Sequence, residues 1–253
     1  MTSRISYRPS YPPVEDVLLT VFCACYNEEK HVANALSSLK ATMDTLKYSY
    51  EVIVIDDAST DRTSQVVEDW KRANPDVPLK LVRNAKNRGL ATGFVDAAFM
   101  GRGKYYTLLC GDDPMPPEAM FELFRHIGKA DMILPYPEDL QGKSRFRRAI
   151  SGSYTKAVSY LSGHKITYYN GCGIHLRYNV MRWGPYSFGF GFQAELVTRL
   201  LDEDVSYLEV ALPALTHREK GSGGALNVRN VLSVTHTLFE IVLRRVRKRT
   251  FGN

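Results

Sequence analysis

Two pairs of aspartates, each directly behind a run of apolar residues, are the part of this chain best equipped for chemistry. Tyr50–Glu51–Val52–Ile53–Val54–Ile55 leads into Asp56–Asp57–Ala58–Ser59–Thr60–Asp61, and Lys104–Tyr105–Tyr106–Thr107–Leu108–Leu109–Cys110–Gly111 leads into Asp112–Asp113–Pro114. Short apolar runs bounded by turn residues read as buried strands. In an open α/β sheet the ligand crevice lies outside the carboxyl ends of the parallel strands, so both pairs aim hard oxygens into one place. Such oxygens suit a ribose, a base edge and a divalent cation carrying a diphosphate. Asp and Asn also open turns and cap helices with no ligand involved, and either pair alone is open to that plainer reading.

The elements that must position these carboxylates follow from hydrophobic periodicity. Strands are predicted near 18–25, 51–56, 79–83, 104–109 and 131–134, and helices near 29–47, 62–73, 90–101 and 117–128. The alternation predicts an α/β fold, a mostly parallel sheet with helices on both faces. The first strand, Leu18–Cys25, ends in Tyr26–Asn27–Glu28–Glu29, and the helix after it sets Val32, Ala35, Leu36 and Leu39 on one face. Pro116–Pro117 is a helix start. From residue 135 the pattern changes: a polar loop, then Lys143, Arg145, Arg147 and Arg148 opening a helix that runs to about residue 163, then a Tyr/Gly-rich stretch over 166–191. Loops on a rigid scaffold are where specificity is built, so this half is expected to face an acceptor.

Composition narrows the classes. A chain of 253 residues with 44% hydrophobic content suffices for one large α/β domain. The formal net charge is +6, most of it from Arg244, Arg245, Arg247, Lys248 and Arg249, so the body is close to neutral and no nucleic-acid partner is implied. Cys23, Cys25, Cys110 and Cys172 lack zinc-ligand spacing and read as free thiols of a reducing compartment, Cys23 and Cys25 as packing on one strand face. Residues 1–16 are polar, carry three prolines and read as an arm rather than a targeting segment, and no apolar stretch is long enough to span a bilayer. The first strand–helix turn has no Gly-x-Gly-x-x-Gly, which argues against a dinucleotide oxidoreductase.

Four motifs in order carry a resemblance: Tyr26–Asn27–Glu28, Val54–Ile55–Asp56–Asp57–Ala58–Ser59–Thr60–Asp61–Arg62–Thr63, Asn87–Arg88–Gly89–Leu90, and Gly111–Asp112–Asp113. In these the chain resembles the family 2 glycosyltransferases, whose Rossmann-like GT-A fold binds nucleotide sugars. Further on, Gly191–Phe192–Gln193–Ala194–Glu195 and Leu208–Glu209–Val210–Ala211–Leu212–Pro213 look like the dolichyl-phosphate mannosyltransferase branch, followed by His217–Arg218–Glu219–Lys220–Gly221–Ser222–Gly223–Gly224 where that branch has an arginine and a Gly-Ser-Lys loop. Three departures stand out. Cys110 replaces the first acid of the usual Asp-x-Asp; Gly223 or Gly224 replaces the lysine, with Lys220 or Arg229 as substitutes; and Thr167–Tyr168–Tyr169–Asn170–Gly171–Cys172–Gly173 replaces an Asp-x-Thr-Gly-Phe-Arg segment.

The resemblance implies an inverting enzyme that moves a sugar from a GDP- or UDP-linked donor to a polyprenyl phosphate at the membrane surface. It assigns Mg²⁺ or Mn²⁺ to Asp112 and Asp113, phosphate clamping to Arg218, and donor contacts to Tyr26, Glu28, Asp57, Arg88, Gly111, Gln193 and Lys220. If the acceptor is instead a saccharide hydroxyl, a general base is needed, and Glu195 is the candidate; paired with Arg199 at i,i+4 it would be an ordinary helix carboxylate. A non-catalytic sugar-nucleotide-binding protein is the alternative for which Cys110 argues.

The resulting map is an arm over 1–16, a GT-A domain over 17–225 (nucleotide-sugar half 17–134, acceptor half 135–225) and a basic amphipathic helix over 226–253. On that helix Val228, Val231, Leu232, Leu238, Phe239, Val242 and Val246 recur at helical spacing. Two readings stay open: a helix lying in an anionic membrane interface, or a core-packing helix with cations at its C-terminal end. The first would place the protein in the cytoplasm, peripheral at the inner face of the membrane.

Overall fold

The computed structural model describes residues 17–111, 115–138, 145–182, 189, 191–213 and 228–251. Its centre is a seven-stranded sheet in the order β3-β2-β1-β4-β6-β5-β7. The strands are β1 (Leu19–Cys25), β2 (Tyr50–Asp56), β3 (Leu79–Arg83), β4 (Tyr105–Cys110), β5 (Met132–Pro137), β6 (Ile174–Leu176) and β7 (Tyr207–Leu212). β6 runs antiparallel to both its neighbours, while the other pairs are parallel. The helices are α1 (Val32–Leu46), α2 (Thr63–Ala73), α3 (Leu90–Met100), α4 (Pro117–Phe124), α5 (Arg145–Ser162), α6 (Arg177–Met181), α7 (Phe192–Asp202) and α8 (Val228–Phe251).

β1 and β2 are buried along nearly their whole length, as strands covered on both faces must be, which is why they read as unbroken apolar runs. One core contains Val21, Cys23 and Val54 of the sheet with Leu36, Leu39, Val67 and Met120 of α1, α2 and α4. The opposite core contains Phe22, Ile53 and Tyr106 with Phe94, Val158, Phe192 and Ile241 of α3, α5, α7 and α8. Val32, Ala35, Leu36 and Leu39 form the buried face of α1, as their spacing predicts.

Two helices differ from their expected bounds. α1 begins at Val32 rather than 29, because the Glu28 carbonyl accepts the N–H groups of His31 and Val32 and starts the first turn there. α4 stops at Phe124, and the chain turns through 125–128 to Gly128 at φ 94°, a left-handed conformation that favours glycine. β6, three residues long, was not predicted; it inserts the second half of the chain into the middle of the sheet.

At the amino ends of the strands a buried network fixes the frame. Thr20 Oγ1 donates to Glu51 (2.7 Å) and accepts the Gly103 N–H (2.8 Å), while Arg177 Nε donates to the Gly103 carbonyl (2.7 Å).

Candidate active site

β1 lies between β2 and β4, with Cys25 level with Asp56 and Ala24 level with Cys110. The order 3-2-1-4 reverses direction at β1, so the crevice at its carboxyl end is a topological switch point. Two further bonds extend the ladder past the strands: the Asp57 N–H to the Cys25 carbonyl (2.9 Å) and the Gly111 N–H to the Ala24 carbonyl (3.0 Å). Strands are spaced about 4.8 Å apart, so Asp56 at the end of β2 and Cys110 at the end of β4 flank β1 at a separation of roughly 10 Å. Tyr26 is 50% exposed between them.

The loops after β1 and β2 are stitched to each other. The Asn27 N–H donates to Ser59 Oγ (2.9 Å), and Asn27 Oδ1 accepts the Thr60 N–H (2.8 Å). The Glu28 N–H donates to Thr63 Oγ1 (2.7 Å), and the Glu29 N–H to Asp61 (3.1 Å). Glu29 Oε2 in turn accepts the Arg62 N–H (3.1 Å). Asp56 accepts the Ser59 N–H (2.8 Å) and the Ser64 hydroxyl. Asn27 and Ala58, both at positive φ, are the bends that make this interlock possible.

Asp57 ties in the third loop. Its Oδ1 accepts Asn84 Nδ2 and the Arg88 N–H, and its Oδ2 accepts the Gly89 N–H, each at 2.8 Å. An ionised carboxylate offers about four acceptor positions, so about one is left for a ligand while this loop is closed. The Arg88 side chain pairs with Asp96. The Glu28 backbone joins α1 to Thr63.

Gly111 is buried hard against β1: a Cβ there would meet the Ala24 carbonyl and Cys25 Sγ at 2.9 Å, and Glu28 Cγ at 3.6 Å. Gly111 therefore lies beside Glu28. Asp112, Asp113, Arg218 and Lys220 lie outside the described residues, and among the described residues no group of three metal-ligating side chains occurs. Two adjacent carboxylates at a strand end form a hard-oxygen donor set, which fits Mg²⁺ or Mn²⁺. The Cys25 thiol does not compete: Cys23 and Cys25 are 3.8 Å apart, and the hydrogen bond to Cys23 together with burial pushes the Cys25 thiol well up, keeping it protonated.

On the other side of the crevice, α7 descends from Gly191 into β7. Gln193 Nε2 is 4.0 Å from Cys172 Sγ. Glu195 is 1% exposed and paired with Arg199 Nη2 at 2.7 Å, so of its two expected roles the geometry is that of the buried helix pair.

The basic end of α8 also turns inward. Arg244 donates to Asp202 Oδ2 (2.8 Å) and Thr198 Oγ1 (2.7 Å), Arg245 to the Tyr160 and Leu161 carbonyls (2.8 and 2.7 Å), and Lys248 to the Asp202 carbonyl (3.0 Å). His164 Nε2 completes the cluster 2.9 Å from Asp202 Oδ1. Three of the five cations read as lipid-facing thus hold α8 to α5 and α7. The sequence reading missed Asn84, Asp202 and His164; Asn84 had a signal, a polar residue directly after β3, and the other two had none.

A mostly parallel sheet of this order, with a switch-point crevice at β1, is a doubly wound α/β architecture of the GT-A type. The model of glycosyl transferase family 2 matches residues 20–183, and the chain belongs to that family. A dolichyl-phosphate beta-glucosyltransferase of Dictyostelium discoideum is 29% identical over 105 residues, 40% of this chain and 32% of that protein. An undecaprenyl-phosphate 4-deoxy-4-formamido-L-arabinose transferase of Pseudomonas fluorescens is 26% identical over 154 residues, 61% of this chain and 45% of that protein. The chain thus spans less than half the length of either relative. Glucosyl-3-phosphoglycerate synthase from Mycobacterium tuberculosis, solved with Mn²⁺, UDP and glucosyl-3-phosphoglycerate, superposes with a TM-score of 0.63 at 17% identity, covering 93% of this chain and 86% of that one. That likeness is one of fold.

Proposed function

We propose that this chain transfers a sugar, with inversion, from a nucleotide-diphosphate sugar to a polyprenyl phosphate at the inner face of a membrane. The observation that carries the proposal is that the strand ends flanking β1, Asp56 of β2 and Cys110 of β4, each lead in sequence to aspartates, in a chain of this family. The lipid-phosphate acceptor is supported by the names of the Dictyostelium and Pseudomonas relatives, and a divalent cation by the Mn²⁺ and UDP of the mycobacterial neighbour.

In this reading Tyr26 lies against the base, Asp57 uses its remaining acceptor position on the nucleoside, and Arg88 and Gly111 line the donor. Asp112 and Asp113 would hold the cation, which supplies Lewis-acid stabilisation of the departing diphosphate. Arg218, with Lys220 two residues on in sequence, clamps phosphate oxygens, a task suited to the planar guanidinium, and Gln193 faces the sugar from α7. A lipid phosphate is already ionised near neutral pH and needs no general base, so the enzyme's work is positioning and leaving-group electrostatics. The burial and pairing of Glu195 favour this acceptor over a saccharide hydroxyl, which would need a free base.

Calorimetric titration with UDP and GDP, with and without Mn²⁺, followed by assay of sugar-nucleotide hydrolysis, tests the donor half. Asp112→Asn is expected to abolish turnover and to remove the Mn²⁺-dependent part of nucleotide affinity, while Cys110→Ser stays mild. Unchanged turnover in Asp112→Asn would end the metal assignment. A panel of sugar nucleotides screened for thermal stabilisation identifies base and sugar.

A further inference from the structure

α8 has two opposite faces with different occupants. Thr237 and Ile241 are buried against the body, and Arg244, Arg245 and Lys248 bond to α5 and α7 from the same side. On the reverse face Leu232, Phe239 and Val246 recur at seven-residue steps and are 64%, 58% and 54% exposed. Seven residues are nearly two turns, with a drift of only about 20° per step, so the three side chains form one straight apolar row on the outside of the protein. Tyr160 of α5, whose carbonyl receives Arg245, is 83% exposed beside the helix.

We propose that this outer row of α8 is the surface that docks onto an anionic lipid bilayer, the helix lying flat in the headgroup region with Leu232, Phe239 and Val246 inserted. Charge selects the occupant. With Arg244, Arg245 and Lys248 bonded to the body, the sequence of α8 still carries Arg229, Arg247 and Arg249 against Glu240 alone. A second copy laid on the row would bring like charge against like, whereas anionic headgroups complement it. Arg247 is exposed, and an exposed tyrosine beside an apolar row suits the boundary between headgroup and acyl chain. An amphipathic helix of this kind buries its apolar face roughly 5–10 Å into that boundary.

The inward face makes docking orient the crevice. Gly191 and Gly189, at the start of α7, lie where a Cβ would meet Thr237 Oγ1 and Ser233 Oγ at 1.9 and 2.4 Å, so α8 packs directly on that backbone. Arg244 secures the other end of α7 at Thr198 and Asp202. The helix that touches lipid therefore grips the whole length of the helix carrying Gln193, and the crevice is held at a fixed attitude to the membrane. The inference deepens the lipid-acceptor reading and rests on it for its purpose.

The test is co-sedimentation of the full chain with sucrose-loaded phosphatidylcholine vesicles, with and without phosphatidylglycerol. The chain is expected to pellet with the anionic vesicles, and the exposed-site variant Leu232→Ser/Phe239→Ser/Val246→Ser to lose about tenfold or more in partitioning. The single variant Phe239→Ser, a smaller perturbation at the middle of the row, is expected to lose about threefold. Equal pelleting of all three proteins overturns the proposal. So does light scattering that shows the parent as a dimer and the triple variant as a monomer, which would give the row to a second copy. Calorimetry with UDP or GDP on the same preparations, without vesicles, reports separately on the donor reading: its failure there leaves the vesicle result standing, and the reverse.

Discussion

His175 makes a quantitative forecast about stability. It lies on β6 level with Tyr106 and Met132, in the middle of the sheet. Its Nδ1 is buried with no hydrogen-bond partner among the described residues. Burial pushes the imidazole down from 6.5 to about 4. The unfolded chain therefore binds a proton in a window where the folded one does not. Stability from this group is complete above the unfolded pKa and is lost as pH falls from about 6.5 towards 4. With about 1.4 kcal/mol per unit, the full loss is about 3 kcal/mol, of which about 2 kcal/mol has gone by pH 5. The assay is urea unfolding at about pH 8, 6 and 5 for the parent and for His175→Leu. Titrating carboxylates affect both proteins alike, so the difference in slope isolates the histidine, whatever the substitution does to absolute stability. Between pH 8 and 5 the parent is expected to lose about 2 kcal/mol more than the variant. Parallel curves would refute the reasoning.

Three other outcomes follow from the geometry. Asp57→Ala removes three bonds to the 84–89 loop; amide exchange at Arg88 and Gly89 should speed by about tenfold or more, and nucleotide affinity should fall whether or not Mn²⁺ is present. Loss confined to the Mn²⁺ condition would mean the carboxylate roles are exchanged. Gly103→Ala places a Cβ 2.4 Å from the Thr20 backbone nitrogen, where no rotamer can relieve it; a loss of about 1–3 kcal/mol is expected in thermal melts, and an unchanged melting temperature would contradict the buried network. Glu195→Gln breaks a buried pair with Arg199 and should cost about 3–5 kcal/mol; full stability with abolished turnover would instead identify Glu195 as a base.

The alternation of β1 to β5 with α1 to α4 was legible because each element is a local pattern: a run buried on both faces, or an apolar stripe on one helix face. β6 was not, since three residues carry no period, and its place between β4 and β5 comes from pairing across about seventy residues of sequence with Tyr105–Thr107. At the site, letters were legible and partners were not. Asp57 reads as a ligand-facing carboxylate until the loop at 84–89 is folded against it. Arg244 reads as a lipid-facing cation until Asp202, on another helix, is brought beside it. In both cases the sequence shows a charge, and only tertiary structure decides what neutralises it.

The interlocked loops have a consequence for how chains of this kind are recognised. Asn27, Glu29, Ser59, Asp61 and Thr63 spell much of the diagnostic words, and the side chain of each accepts a backbone N–H from the neighbouring loop. A descendant that had lost its chemistry but kept its shape would be under pressure to keep all of these letters. Inheritance of these letters thus tracks the fastening of the crevice rather than its chemistry.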